Sequence, residues 1–244
     1  MKLNCDLGES FGAWKMPMDT HIMAIIDQAN IACGFHAGDP TAIKEALNLA
    51  TEHGVEVGAH PAYPDLQGFG RRSIAMQKDE LVACIQYQVS ALCGLADIAG
   101  TELRYVKPHG ALYNDMMRDA TIMQAVMEAV AAFKRDHNLS LMVQATTKNS
   151  SLSQAAKAFN LPLIFEGFAD RRYTDDGFLM SRNLPGAVLS EKAAFAQARQ
   201  LIEEGTVTTA SEKRIALHVD SLCVHGDTAG ALEIASNIAQ LIKQ

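Results

Sequence analysis

Apolar residues along this chain follow two alternating rhythms. Short apolar runs at 2–5, 30–33, 55–59, 103–106, 141–144, 163–165 and 214–217 read as buried strands. Between them, apolar positions at helical spacing predict helices over 19–28, 40–53, 77–98, 120–136, 152–159, 191–204 and 228–242. In 40–53, Ile43, Ala46, Leu47 and Ala50 share one face. Pro40 suits the first turn, Asp39 is placed to cap it, and Gly54 to end it. Seven strands alternating with helices imply a parallel α/β sheet, and with no linker-like break the whole of 1–244 reads as one domain. Two stretches interrupt the rhythm. Residues 61–76 form the longest loop, rich in Pro, Gly and Tyr, of the kind used as lids or binding loops. Residues 174–189 are polar and turn-rich, a hairpin or an excursion.

Titratable residues cluster where the predicted strands end: Asp6 and Glu9, His36 and Asp39, His60 and Asp65, Lys107 and His109, Glu166 and Asp170, His218 and Asp220. A parallel barrel places the C-terminal ends of its strands around one mouth, whereas an open doubly wound sheet gathers its functional loops at one switch point. The spread over so many strands favours a seven-stranded (β/α) barrel with an active site at that mouth.

The densest cluster is His218-x-Asp220, with His225 and Asp227 close behind. Residues two apart on a strand point the same way, so the pair suits either a metal or acid–base work. The alternative is that Asp227 caps the last helix and one His orients the other. Asp6 and Glu9 offer carboxylates after the first strand, although Glu9 is equally suited to satisfying loop amides. Lys107 emerges from a barrel wall, which is costly unless it meets a carboxylate, with Asp6, Glu166 and Asp220 as candidates. Arg71, Arg72, Arg171 and Arg172 form two loop pairs able to clamp a carboxylate or phosphate, though one member of such a pair commonly points to water. His21, His53 and His137 read as surface residues on helices. Cys84 and Cys93 read as helix-core positions, and Cys5, Cys33 and Cys223 as small buried hydrophobes.

Composition narrows the partners. A formal charge of −7 and no Lys/Arg run argue against nucleic acid and anionic membranes. The N-terminus lacks a signal-peptide core, and no apolar segment reaches the ~20 residues of a membrane span. Five cysteines without paired spacing suit a reducing cytoplasm better than a disulfide framework. The sequence has no phosphate-binding loop, dinucleotide fingerprint or nucleophile elbow.

Six stretches, taken in order, are similar to one known family: residues 4–12 (NCDLGESFG), 30–39 (NIACGFHAGD), 58–65 (GAHPAYPD), 106–114 (VKPHGALYN), 165–172 (FEGFADRR) and 218–220 (HVD). They closely resemble the LamB/YcsF family, that of the A subunits of bacterial 5-oxoprolinase. The resemblance implies a seven-stranded barrel like that of the glycoside hydrolase/deacetylase superfamily. It also implies hydrolase activity, the ATP-dependent opening of 5-oxoproline to L-glutamate together with 5-oxoprolinase subunits B and C. From the strand ends, the expected catalytic set is Asp6, Lys107, Glu166, His218 and Asp220, with His218–Asp220 handling protons and Lys107 stabilising negative charge. His36, His60, His109, Arg71 and Arg72 are the expected substrate-binding groups, and the residues leave open whether a divalent metal joins them. Two other readings stand beside this one: a stand-alone metal-dependent deacetylase or amidohydrolase, and a non-catalytic substrate-binding subunit.

Overall fold

The first strand, β1 (Lys2–Leu7), sends alternate side chains to opposite faces. Leu3, Cys5 and Leu7 join the apolar core, while Asn4 and Asp6 enter a hydrogen-bonded lumen. The computed structural model describes residues 1–16, 19–135, 138–224 and 231–243. Parallel to β1 run β2 (Gln28–Ala32), β3 (Glu56–His60), β4 (Leu103–Val106), β5 (Ser140–Gln144) and β6 (Leu163–Phe168). The barrel is closed by a short strand near the C-terminus, Ser221–Cys223, which pairs with both β6 and β1.

That closing strand corrects the sequence reading. Residues 214–217 are not a barrel strand: Thr206–Thr208 (β7) pairs antiparallel with Arg214–Ala216 (β8) in a separate two-stranded hairpin. The closing strand is therefore β9. Burial separates the two segments. Arg214-Ile215-Ala216 is exposed on either side of a buried Ile, the alternation of a hairpin with one wet face, whereas Ser221-Leu222-Cys223 is buried throughout, as a barrel strand must be. Three residues are simply too few to announce a periodicity.

Helices α1 (Asp19–Met23), α2 (Pro40–His53), α3 (Lys78–Ala99), α4 (Gly110–Met116), α5 (Ala120–Ala131), α6 (Asn149–Lys157), α7 (Glu191–Glu204) and α8 (Ala231–Ile242) connect the strands. In α2 the Asp39 carboxylate accepts from Thr41 and Ala42 amides at 2.9 Å each, and Gly54 ends the helix in the left-handed region, as its sequence predicts. Helix α1 stops five residues before the predicted end because Gln28 belongs to β2. Helix α4, which follows the Lys107-Pro-His-Gly turn, is absent from the sequence expectation. The expected start of the last helix at Thr228 lies outside the described residues. Helix α3 has the length and, with a mean hydropathy of 1.5, the composition of a membrane span, contrary to the sequence expectation. Its Leu81, Ile85, Val89, Leu92 and Ala96 are buried in the barrel's apolar shell.

Most (β/α) barrels fill the lumen with branched apolar side chains. Here the lower lumen is a buried polar network. Ser221 Oγ accepts from Asn4 and donates to Gln28 Oε1, Asn30 donates to Asn4 and Asp6, and Tyr105 O–H donates to Asn30 at 2.7 Å. Gly58 makes room for this: any Cβ there would fall inside the Tyr105 ring. Tyr105 is fully buried and reaches from β4 past Gly58 of β3 to Asn30 of β2.

Candidate functional site

Above that network, strand ends deliver charge to a single point. Lys107, the residue after β4, has its Nζ 2.8 Å from Asp6 Oδ1 and 2.8 Å from Glu166 Oε1. Tyr113, from α4, donates to the other Glu166 oxygen at 2.6 Å. Burial works against the Lys107 ammonium, but the facing Asp6 and Glu166 carboxylates more than offset it and hold its pKa well above the ordinary lysine value. Burial, with Glu166 beside it, likewise raises the Tyr113 phenol, so it remains a donor at neutral pH. Of the three carboxylates the sequence offered Lys107, the structure brings Asp6 and Glu166.

A second group lies alongside. His36 follows β2, His60 is the last residue of β3, and His109 precedes the first residue of α4. All three are buried, together with Glu9. His36 Nε2 lies 2.9 Å from Glu9 Oε1, His60 Nε2 lies 2.9 Å from His109 Nδ1, and His60 Nε2 lies 3.3 Å from Asp6 Oδ2. The His36 and His109 rings stack with centroids 3.7 Å apart, and His60 meets His109 edge-on. Burial and the neighbouring imidazoles push His36 and His109 well below the ordinary histidine pKa, and burial raises Glu9. Glu9 is thus more than a cap for loop amides: it belongs to the cluster.

The loops are tied to one another by backbone bonds. His109 N–H donates to Pro61 C=O, Ala111 N–H to Gly70 C=O and Asp65 N–H to Phe35 C=O. Phe69, whose ring meets His36 and His109 edge-on, has φ +54°, an unusual conformation for a bulky residue and one that persists only where surroundings enforce it. Gly70 follows at φ +64°, and a Cβ there would come 2.7 Å from the His109 ring.

The arginine pair divides. Arg72 is paired with Asp65, with Nε 2.9 Å from Oδ1 and a second, Nη2 contact to the same oxygen, which anchors the long loop. Arg71 sits over the Phe69 ring at 5.1 Å and acts electrostatically on Glu9 and His36, which keeps it at the mouth. In the other pair, Arg171 is buried, donates to Met180 C=O at 2.6 Å, and is pushed down to about 10 by burial and Arg182. Arg172 lies 3.8 Å from Glu212 at the surface.

The largest correction concerns His218 and Asp220. They precede β9 rather than following a barrel strand, and the His218 carbonyl accepts from Asn149 at the start of α6 at 3.0 Å. Asp220 Oδ2 accepts from Phe165 N–H and its carbonyl accepts from Lys2 N–H. The two side chains are 77% and 42% exposed and lie 3.4 Å apart. Mistaking the hairpin strand for the closing strand set them after a barrel strand, when they come before one and lie in solvent. His225, Asp227 and His137 lie outside the described residues. His21 and His53 are exposed, as expected.

Known proteins match along the full chain. The model of the LamB/YcsF family covers residues 1–244. A protein of Vibrio campbellii, named as the A subunit of 5-oxoprolinase, is 51% identical over 98% of this chain and 94% of its own length. One of Pseudomonas putida, named as a second 5-oxoprolinase A subunit, is 48% identical over 98% of this chain and 93% of its own. The crystal structure of a lactam utilization protein from Thermus thermophilus superposes with a TM-score of 0.90 at 38% identity, covering all of this chain and 96% of that one. With its profile matched from end to end and its barrel shared, this chain belongs to the LamB/YcsF family.

Proposed function

We propose that this chain is the A subunit of an ATP-dependent 5-oxoprolinase, a cytoplasmic hydrolase that opens 5-oxoproline to L-glutamate together with subunits B and C. The names and near-complete coverage of its relatives support the reaction and the subunit role. Free thiols at all five cysteines support a reducing compartment.

The observation that carries the reading is the buried Lys107 ammonium set between Asp6 and Glu166 at the mouth. Lactam opening breaks the ring C–N bond: water supplies oxygen to the carbonyl carbon, and the nitrogen takes a proton and becomes the amine of glutamate. ATP supplies the driving force by phosphorylating the amide oxygen, and ADP departs at that transfer. The first water adds to the carbonyl carbon and the C–N bond breaks to give an acyl phosphate. A second water then displaces phosphate to leave the carboxylate. Lys107 stabilises negative charge developing on the amide oxygen, the role a preorganised cation fills best in a water-poor site. Asp6, rather than His218–Asp220, handles the proton of the attacking water, and Arg71 recognises the substrate carboxylate. The test is 5-oxoproline-dependent ATP hydrolysis and glutamate formation by the chain alone and with B and C. Activity is expected only with the partners, and robust turnover by the isolated chain would remove the subunit role.

A further inference from the structure

The hydrogen bonds of the histidine cluster do not close with protein atoms alone. His60 Nδ1 lies 2.6 Å from Lys107 C=O, and His109 Nε2 lies 2.9 Å from Phe69 C=O. A carbonyl can only accept, so each of those nitrogens carries the ring's hydrogen. That leaves a lone pair on His60 Nε2 and on His109 Nδ1, and these two atoms face each other at 2.9 Å. Glu9 Oε1 lies 3.5 Å from His109 Nδ1, and Asp6 Oδ2 lies 3.3 Å from His60 Nε2. Four electron-rich atoms therefore converge with no hydrogen of a neutral ring between them.

We propose that Glu9, His60 and His109 hold one divalent transition-metal ion, with Asp6 beside its open position. Three features support this. Ligand atoms about 2.0–2.1 Å from a tetrahedral ion lie ~3.3 Å from one another; here His60 and His109 are 2.9 Å apart and Glu9 and His109 3.5 Å, with one ligand atom of each of the three within 4.8 Å of the others. Both imidazoles donate their second N–H to a backbone carbonyl, the arrangement that fixes ring orientation behind metal-bound histidines. Two imidazoles and a carboxylate suit zinc, cobalt, nickel or iron better than magnesium or calcium. His36 also offers a nitrogen within 4.8 Å of the set. Its ring lies parallel to His109 at 3.7 Å, however, and two stacked rings cannot both keep one ion in their planes. His36 instead donates Nε2–H to Glu9 and orients that carboxylate, which leaves its buried Nδ1 without a partner. Three protein ligands and one open position is the pattern of a catalytic rather than a structural ion.

The inference concerns the same mouth but does not rest on the lactam reading. Its test is binding: purified full-length chain, stripped with a chelator, is titrated with Co2+ and then Zn2+. One ion per chain is expected, with the visible Co2+ spectrum of a low-coordinate nitrogen–oxygen site that Zn2+ abolishes. Glu9→Gln and His109→Gln are each expected to weaken binding at least about 10- to 100-fold, the loss found when even a supporting partner of a ligand is removed. His218→Ala should bind as wild type. Unchanged binding by Glu9→Gln, or its loss in His218→Ala, would overturn the assignment. If both site variants fail to fold, the wild-type spectrum decides, and its absence overturns the proposal. A metal-free wild type whose His60–His109 gap holds a shared proton by NMR does so as well. None of these readouts involves turnover, so their failure leaves the lactam assignment untouched.

Discussion

The two ends of this barrel carry the same kinds of residue and do different things with them. At the mouth, Lys107, Asp6 and Glu166 form ion pairs whose side chains are at most 17% exposed. Where strands begin, Lys2 pairs with Glu56 and, just before β9, His218 with Asp220, all of them 39% exposed or more. A buried charge must find its counter-charge or lose several kcal/mol, whereas an exposed pair is worth about 0–1 kcal/mol. Residue type does not separate these ends. Enclosure does: the pairs at the mouth lie at or near the C-terminal ends of strands and are covered by loops, and those where strands begin are left in solvent.

The sharpest test of that contrast is Lys107→Met, which strands two buried carboxylates. Chemical denaturation should show a loss of about 3–5 kcal/mol, and the assembled enzyme a fall in kcat of about 100- to 1,000-fold. A variant as stable and active as wild type would mean that the mouth is as forgiving as the floor. Gly58→Ala, below the site, should cost about 1–3 kcal/mol by overpacking Tyr105, read from the same unfolding curves. Next come the arginines. Arg71→Lys should raise KM for 5-oxoproline about tenfold with kcat little changed, because the planar fork is lost. Arg72→Lys should leave KM alone and make the 61–76 loop easier to proteolyse. Equal effects on KM would erase the distinction between a ligand-facing and a loop-anchoring arginine. Asp65 offers a pH counterpart. The hydrogen bond from Arg72 holds its pKa below the usual 3.8, so its contribution is present above that value and lost as pH falls through the folded one. Asp65→Asn should therefore flatten the acid limb of a stability–pH profile. The smallest effect belongs to His218→Ala, which should stay within about twofold of wild-type turnover.

Much of this was legible in the sequence because strand ends are cheap to read. An apolar run followed by a polar, titratable loop placed Asp6, His36, His60, Lys107, His109 and Glu166 around one opening without knowledge of any contact. The failures have a common cause. His218 and Asp220 were misplaced because β9 is three residues long, below the length at which apolar periodicity separates strand from loop. Glu9 was undervalued because its worth depends on His36, 27 positions away, a relation that only barrel closure creates. The polar lumen was missed for the same reason: Asn4, Asn30 and Tyr105 each look like an ordinary strand residue until parallel register stacks them. Arg72 was indistinguishable from its neighbour, since sequence does not reveal which fork Asp65 already occupies.

The polar network in the lumen has a consequence for evolution by single steps. Tyr105, Asn30, Asn4, Ser221 and Gln28 are linked in one chain of hydrogen bonds. Replacing any one of them leaves a buried neighbour unmet, so changes made singly there cost more than compatible changes made together.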